Sequence, residues 1–456
     1  MSDSDLKFDD NKKGTIKARW EEQFDQIATP FEQFVKQETT SGFVLMAAAL
    51  VALIMANTAL GPYYEHMLHI EGGFAIGEFG MTKTLHHWIN DGLMTLFFLV
   101  VGLELKREFL VGELADPQAA ALPIVAAIGG MAIPALTFAF LVDDPTNLRG
   151  WGIPMATDIA FALGVIALLA GRVPKALITF LVALAIVDDL GAVLVIAIFY
   201  TEDLQMQYLV IGAVIVGLLV AMNFFGIRRP QPYFFIGLLL WLALLKSGVH
   251  ATLAGVITAF AIPTKPRFEP GAFSRRMREL LHRFDETYKE GDSILKNENM
   301  VAVVQTFETG IHGVQTPLQR LEHSMHVWVA LIILPIFALF NAGVVIQFDN
   351  FLSSLAHPVT IGIAAGLLFG KFVGITGAAL IAVKTGLAKL PTGVNMKHIA
   401  GASLLGGIGF TMSIFIADLA YLGHPELITQ AKLGIIGASV IAGIAGTLVL
   451  LQATKK

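Results

Sequence analysis

The sequence contains no cysteine and little charge. The absence of cysteine among 456 residues excludes disulfide bonds and thiolate metal sites. Charged residues make up 15% of the chain, against about 25% in an ordinary soluble domain. The net charge is −5 and there is no basic tail, so the charge balance gives no support to nucleic-acid binding. The first forty residues are polar and lack the apolar run of a signal peptide, so we expect no cleaved leader.

Apolar residues and glycine are abundant instead. Hydrophobic residues make up 55% of the chain, and there are 44 glycines, which are more frequent in membrane helices than in soluble ones. A soluble protein would need a core larger than single domains build, because such cores stop growing near about 250–300 residues. The composition therefore predicts an all-α membrane protein, in which the lipid bilayer takes the place of a large core.

Twelve apolar runs are long enough, or nearly long enough, to be membrane helices. The predicted spans are 42–60, 88–105, 119–142, 150–170, 174–199, 206–225, 231–246, 247–263, 324–346, 358–384, 398–420 and 427–452. Most of the 31 Lys and Arg residues fall at the termini and in alternate loops, which are cytoplasmic by the positive-inside rule. We therefore expect both termini in the cytoplasm.

Two loops differ from the others. Residues 264–322 are rich in both acidic and basic side chains and include an amphipathic stretch, Phe273 to Tyr288, so we expect a cytoplasmic insert with some helix. Residues 61–87 alternate weakly around several glycines, which predicts a small external β-hairpin. The predicted division is an amino-terminal extension at 1–41, membrane parts at 42–263 and 323–452, the insert at 264–322, and a tail at 453–456.

Four ionisable residues lie well inside predicted spans. They are Asp158, the adjacent pair Asp188 and Asp189, and Lys371. A charge at bilayer depth is costly and marks a functional site by default. A single buried Asp–Lys pair can serve only to hold helices together, but no packing need calls for two adjacent buried aspartates.

The geometry of a helix suggests how these charges are divided. Neighbouring helical residues point about 100° apart, so Asp188 and Asp189 face different partners. We expect Lys371 to pair with Asp188. Hard cations such as Na+ prefer carboxylate, carbonyl and hydroxyl oxygens, so Asp189 with Asp158 and Thr157 makes a reasonable ligand set. A site that takes either a cation or protons is the site of an exchanger.

Helix-breaking residues accompany these charges. Pro154 precedes Thr157 and Asp158, and the eleventh span contains Gly406, Gly407 and Gly409. Interrupted helices at membrane depth expose backbone groups and opposed dipole ends, which charges such as Asp158 and Lys371 can neutralise. The alternative interpretation of the glycines is that they only permit close helix approach.

Several runs together resemble the NhaA family of bacterial sodium/proton antiporters. The resemblance covers nearly the whole membrane region and rests on these segments, in order: 97–108 (FFLVVGLELKRE), 156–164 (ATDIAFALG), 185–192 (AIVDDLGA), 245–255 (LKSGVHATLAG), 320–323 (RLEH), 341–343 (NAG), 370–371 (GK) and 406–416 (GGIGFTMSIFI). It implies inverted repeats with two broken helices crossing at mid-membrane. The activity it implies is electrogenic exchange of two protons for each Na+ or Li+ expelled, activated at neutral to alkaline pH, without a cofactor.

The resemblance also assigns residues to roles. Asp188 and Asp189 match the cation and proton carboxylates, Asp158 and Thr157 the helix crossing, and Lys371 the lysine beside the aspartate pair. Positions linked to pH sensing or lying beside them are Glu104, Glu108, His250, Glu322, His323 and His326. The family is found in the bacterial inner membrane, often as a homodimer joined through the external hairpin.

The chain departs from the family pattern in places, and other functions stay open. The insert and the amino-terminal extension are long, and Phe372 follows the lysine where a proline is expected. The alternatives are a K+/proton exchanger, a sodium-coupled symporter of similar fold, and an intramembrane aspartyl protease. The protease is disfavoured because the chain lacks a Gly-x-Gly-Asp motif. The sequence leaves the preference among Na+, Li+ and K+ and the carrier of the second proton, Asp188 or Lys371, undetermined.

Overall fold

The protein is a helical bundle with one small sheet. The computed structural model describes residues 30–76, 79–169, 171–201, 204–287, 297–346 and 351–454. The first 29 residues of the predicted amino-terminal extension and the last two of the tail therefore lie outside the described residues, as does Tyr288 at the end of the amphipathic stretch.

Nine described helices are long and apolar enough to cross a membrane, and one bent pair makes a tenth if it is counted as a single span. The helices of the first half are α1 (Pro30–Ala56), α2 (Gly61–Leu68), α3 (Leu85–Val111), α4 (Pro117–Leu141), α5 (Ile159–Ala167), α6 (Lys175–Phe199), α7 (Met206–Phe224), α8 (Pro230–Ser247) and α9 (Leu253–Ala261). Those of the second half are α10 (Pro270–Thr287), α11 (Glu298–Val314), α12 (Pro317–Asn341), α13 (Pro358–Lys384), α14 (Met396–Leu405), α15 (Phe410–Ala420) and α16 (Pro425–Ala453). The chain is therefore a multi-pass membrane protein.

Ten of the twelve predicted spans overlap these membrane helices with ends that differ by at most seven residues, counting α14 with α15. The seventh and eighth predicted spans are the exceptions. They correspond to α8, of 18 residues, and α9, of only 9 residues, and neither is among the helices that qualify by length and composition. Gly248, in the left-handed region at φ 85°, ends α8 and separates the two. The described residues thus support nine or ten spans, not twelve, by these criteria.

The predicted hairpin is present. Strands β1 (Glu71–Ile76) and β2 (Phe79–Thr84) pair antiparallel, with Glu71 opposite Thr84 and Ile76 opposite Phe79. Trp88, at the start of α3, donates a 2.8 Å hydrogen bond from its indole nitrogen to the Gly72 carbonyl. This contact fastens the hairpin to the bundle.

The segment predicted as an insert contains two helices, α10 and α11, which pack against each other. The helix that follows begins at Pro317, inside the predicted bounds of the insert, where Thr316 and Gln319 form a capping box.

Helices α4 and α13 cross at glycines close to the buried lysine. At the crossing of α4 and α13, a Cβ on Gly129 would strike the Gly374 carbonyl, and a Cβ on Gly374 would strike the Gly129 carbonyl. The two backbones are therefore in direct contact, as small residues allow between membrane helices. This approach places Lys371, three residues before Gly374, in the centre of the bundle, fully buried.

Candidate functional site

Two interrupted segments meet in the middle of the bundle. The first consists of a 3₁₀ turn, Arg149–Met155, an extended stretch at 156–158, and α5. The second is the break at 406–409 between α14 and α15, whose axes are bent by 48°. The Asp158 backbone nitrogen donates a 2.7 Å hydrogen bond to the Ile408 carbonyl, so the two breaks are joined directly.

Asp158 neutralises both helix ends at this crossing. Its Oδ1 accepts from the Phe161 backbone nitrogen at 2.9 Å, as the N-cap of α5. Its Oδ2 accepts from the Thr411 backbone nitrogen at 2.9 Å and the Thr411 hydroxyl at 2.5 Å, in the first turn of α15. A single carboxylate thus serves two helix N-termini, where the helix dipole favours negative charge.

The glycines of the second break provide space and not backbone freedom. Gly406, Gly407 and Gly409 are all absent from the described residues with positive φ, so an L side chain could adopt their conformations. A Cβ on Gly407 would instead strike the Leu367 carbonyl, and one on Gly406 would lie 2.9 Å from Ile375 Cδ1. The segment is a helix break and a point of close approach at once.

The aspartate pair lies near the middle of α6. Asp188 and Asp189 are 1% and 0% exposed. Lys371 Nζ forms an ion pair with Asp188 Oδ2, as expected, and the Thr157 hydroxyl lies 2.7 Å from the same oxygen and 2.8 Å from the Gly406 carbonyl. Asp188 is therefore joined both to α13 and to the crossing.

Asp189 is arranged differently from the predicted ligand set. Thr157 contacts Asp188 and not Asp189, and Asp158 is engaged by the helix ends. Neither carboxylate oxygen of Asp189, nor Oδ1 of Asp188, has a hydrogen-bond partner among the described residues. Within the same residues, no cluster of three or more His, Cys, Asp or Glu side chains is placed to hold a metal ion. A buried carboxylate without partners is unfavourable unless it binds a proton or a cation.

A cavity of about 1150 Å³, here called the Glu104 cavity, approaches this site from one end of the bundle. Ile159, next to Asp158, and Ile186, one turn before Asp189, are part of its wall. Its polar lining includes residues predicted for pH sensing, namely Glu104, Glu322, His323 and His326. His326 Nε2 lies 3.8 Å from Glu104 Oε1.

Arg107, in the wall of the Glu104 cavity, contacts two of the predicted pH-sensing residues, although its own role was not predicted from the sequence. Its guanidinium contacts Glu322 Oε1 at 2.9 Å and Glu108 Oε1 at 3.1 Å. The Glu108 Oε2 atom also accepts from the Glu113 backbone nitrogen at 3.1 Å. Sequence reasoning likewise missed Thr411. Both residues lie inside the segments that carry the family resemblance, but only the fold shows their partners.

His250 does not join the Glu104 cavity. It follows α8, and its Nε2 lies 2.7 Å from the Tyr200 carbonyl, just beyond the end of α6. Tyr200 is eleven residues beyond Asp189, or about 16 Å along the helix, whereas Val182 and Ile186 of the cavity wall precede the pair. His250 and the other predicted pH-sensing residues are thus on opposite sides of the aspartates.

Charged residues buried where two broken helices cross, inside a multi-pass bundle, define the architecture of a secondary transporter. A family model described as Na+/H+ antiporter 1 matches residues 32–450. The chain therefore belongs to the Na+/H+ antiporter family, which is a family of transporters and not of enzymes.

Curated relatives agree along nearly their whole length. A protein of Saccharophagus degradans named Na(+)/H(+) antiporter NhaA 1 is 61% identical over 442 residues, which are 97% of this chain and 95% of the relative. Proteins named Na(+)/H(+) antiporter NhaA from Sulfurimonas denitrificans and Syntrophobacter fumaroxidans are 49% and 47% identical, over 94% and 96% of this chain and 96% and 93% of their own lengths.

Proposed function

We propose that the protein is a sodium/proton antiporter with Asp189 as its principal cation ligand. The observation that carries the proposal is the charge balance of the buried site. Asp188 and Asp189 share one cation, Lys371, and both oxygens of Asp189 lack a hydrogen-bond partner among the described residues. One negative charge is left without compensation, and either a proton or Na+ supplies it.

Competition for the same oxygens produces exchange. Na+ is a hard cation that prefers carboxylate and carbonyl oxygen, and a carboxylate that holds a proton has lost the charge that attracts Na+. Low pH therefore fills the site with protons and excludes the cation. As pH rises, the deprotonated site takes Na+ through the Glu104 cavity.

Transport then requires that the site open to the other side. In the proposed cycle the helices of the crossing rock against the rest of the bundle, and protons from the opposite side displace Na+ or Li+. One proton binds Asp189. When Na+ binds, the Asp188–Lys371 pair also releases its proton. Asp188 or Lys371 must therefore take up a second proton as Na+ leaves, so two protons exchange for one cation and the process is electrogenic. The arrangement that supports this chemistry is the contact of Asp188 with both Lys371 and Thr157.

The remaining features of the proposal concern surroundings and regulation. We place the protein in a bacterial inner membrane with both termini and the Glu104 cavity on the cytoplasmic side, as the distribution of basic residues favours. Glu104, Glu108, Glu322, His323 and His326 then meet cytoplasmic pH and activate exchange at neutral to alkaline values. His250 acts from the opposite side, and the antiparallel hairpin joins two copies in a homodimer.

Proton flux in everted vesicles from an antiporter-deficient bacterial strain tests the function. Addition of Na+ or Li+, but not K+, is expected to release protons from an acidified lumen, with a response that increases with pH. Asp189→Asn should abolish the response because its amide cannot carry a proton or the needed charge. Asp116→Asn, at the exposed N-cap of α4, is the matched control and should leave exchange intact.

Three outcomes would contradict parts of this proposal. Cation-dependent flux retained in Asp189→Asn would remove that residue from its role. A response to K+ comparable to that to Na+ would indicate a K+/proton exchanger. No response to any cation at any pH, despite confirmed expression in the membrane, would reject antiport.

A further inference from the structure

A second group of buried polar residues lies apart from the crossing. It consists of His86 and Asn90 in the first two turns of α3, Asn341 at the end of α12, Asp418 in α15 and Lys432 in α16, and is here called the Asp418 cluster. Asn341 is 0% exposed, and Asn90, Asp418 and Lys432 are 8–9% exposed. The proposed exchange cycle gives none of these side chains a role.

The cluster is fully connected. Asn341 Nδ2 donates to Asn90 Oδ1 at 2.8 Å, and His86 Nε2 lies 2.8 Å from Asn341 Oδ1. Asn90 Nδ2 donates to Asp418 Oδ2 at 3.3 Å, and Lys432 Nζ lies 3.5 Å from Asp418 Oδ1. Both oxygens of Asp418 therefore have partners, in contrast to those of Asp189.

This cluster and the Glu104 cavity occupy opposite ends of the bundle. On α3, Asn90 precedes Glu104 by fourteen residues, about 21 Å of helix. On α12, Asn341 follows His326 by fifteen residues, about 22 Å. Two separate helices thus carry the cavity at one end and the cluster at the other, with the aspartate pair between them.

The cluster also connects the crossing to helices outside it. Thr411, which binds Asp158, and Asp418 are on the same half-helix α15, seven residues or about 10 Å apart. The partners of Asp418 on the other side, Asn90 and His86, belong to α3, and Asn341 belongs to α12. Rocking of α15 with the crossing against α3 and α12 would therefore act directly on the contacts between Asp418 and these side chains.

We infer that the Asp418 cluster is a polar latch, which closes the passage opposite the Glu104 cavity and must open once in every transport cycle. The inference rests on the proposed exchange by alternating access and assigns the residues that hold one side shut. Polar contacts suit this task because water replaces each hydrogen bond when the passage opens, so the latch is weak enough to be reversible.

Asp418→Asn tests the latch by its effect on the two faces separately. The substitution keeps the shape but removes the charge that faces Lys432 and His86, so the state open at the Glu104 cavity becomes less populated. Because an apparent dissociation constant is divided by the fraction of competent protein, KM for Na+ at the cavity face should rise about threefold. KM at the opposite face should fall by a comparable factor or more.

Everted and right-side-out vesicles give these two constants. A structural defect alone lowers the maximal rate at both faces and leaves the two KM values without opposite shifts. Opposite shifts support the latch, whereas unchanged or parallel KM values overturn it.

A cross-linking experiment tests whether the contact opens. The natural chain has no cysteine, so introduced thiols are the only ones present. In the double variant Asn90→Cys with Asp418→Cys, Cd2+ should bridge the thiols and arrest exchange, with recovery after chelation, while each single variant remains active. Bridging is confirmed when both thiols become protected from a maleimide.

The matched control links two residues that belong to neighbouring helices of the crossing side. The Thr376 hydroxyl donates to Ser403 Oγ at 2.9 Å between α13 and α14. The pair Thr376→Cys with Ser403→Cys should bind Cd2+ without stopping exchange. Continued exchange by the bridged 90–418 pair would refute the latch alone, whereas absence of cation-driven flux in the natural protein would refute the proposed function on which it depends.

Discussion

The strength of the helix crossing depends on one carboxylate, and Asp158→Asn measures it. Asp158 accepts three hydrogen bonds, two from Thr411 and one from the Phe161 backbone. An asparagine has one acceptor oxygen. If that oxygen stays on Thr411, the amide nitrogen faces the Phe161 N–H and leaves this buried donor unpaired, at a cost of about 1–3 kcal/mol. Loss of charge at two helix N-termini adds about 1 kcal/mol for each.

Together these effects predict that Asp158→Asn lowers the free energy of unfolding by about 3–5 kcal/mol. Thr411→Val removes only the hydroxyl that donates to the carboxylate, so it should cost about 1.5–3 kcal/mol, the value for a hydrogen bond to a charged group. Thr376→Val is the matched control. It removes a hydroxyl bonded to the neutral Ser403, for which about 0.5–1.5 kcal/mol is expected.

The assay is thermal unfolding in detergent, followed by fluorescence-detected size exclusion at one fixed heating protocol, because such unfolding is often irreversible. The apparent melting temperature should decrease least in Thr376→Val, more in Thr411→Val and most in Asp158→Asn, where the decrease should be several degrees. Equal losses for the two threonine variants would show that the charge of Asp158 adds nothing to the bond. An Asp158→Asn protein as stable as the natural one would refute the account of the crossing.

Three further predictions concern other parts of the fold. In Gly407→Ala the added Cβ would strike a backbone carbonyl, so the folded fraction in size exclusion should be greatly reduced. In the control Gly437→Ala no atom lies within 4 Å of the added Cβ, and the folded fraction should not change. Equal recovery of the two variants would contradict the close approach at Gly407. Burial raises the pKa of Tyr64 to about 12 from 10.0. The neutral phenol therefore stabilises the folded protein fully below pH 10, and this contribution is lost as pH rises toward 12. At pH 11 the free energy of unfolding is lower by about 1.4 kcal/mol for this reason. The melting temperature of Tyr64→Phe should therefore fall less between pH 9 and 11 than that of the natural protein. Equal decreases would show that ionisation of Tyr64 is not the cause. Arg107→Ala removes the cation paired with Glu322 and leaves a more negative cavity that attracts protons. The pH of half-maximal exchange should therefore increase, with a smaller increase for Arg107→Lys. An unchanged pH profile would show that this pair does not regulate exchange.

Sequence determined the membrane class and most of the helices, because the physical signal is local. A run of about 20 apolar residues is sufficient for a span, and ten of the predicted spans appear among the described helices. The two predicted spans that differ correspond to α8 and α9, which a left-handed glycine separates. Helix α9 is too short to cross a membrane, and α8 is long enough but not sufficiently apolar. The high cost of charge at bilayer depth also identifies Asp158, Asp188, Asp189 and Lys371 as candidate site residues from the sequence alone.

The pairing of these charges was only partly accessible from sequence. Because adjacent helical aspartates face different partners, Asp189 was assigned to the cation and Asp188 to Lys371, and the ion pair of Lys371 with Asp188 is present. The preference of hard cations for oxygen ligands placed Thr157 with Asp189, whereas the Thr157 hydroxyl contacts Asp188. Helical periodicity says that adjacent residues face different directions, but it does not say which neighbour occupies each direction.

Tertiary structure alone decided which distant residues meet. Asp158 binds Thr411 across 253 positions of sequence, and Asp418 reaches Asn90 across 328. The position of His250 away from the Glu104 cavity follows from the helix that carries it and not from its residue type. Apolar runs, prolines and glycines affect the structure only within a few residues, so their effects can be predicted from the sequence. A contact between two helices depends instead on where the helices cross, and packing over the whole bundle determines those crossing points.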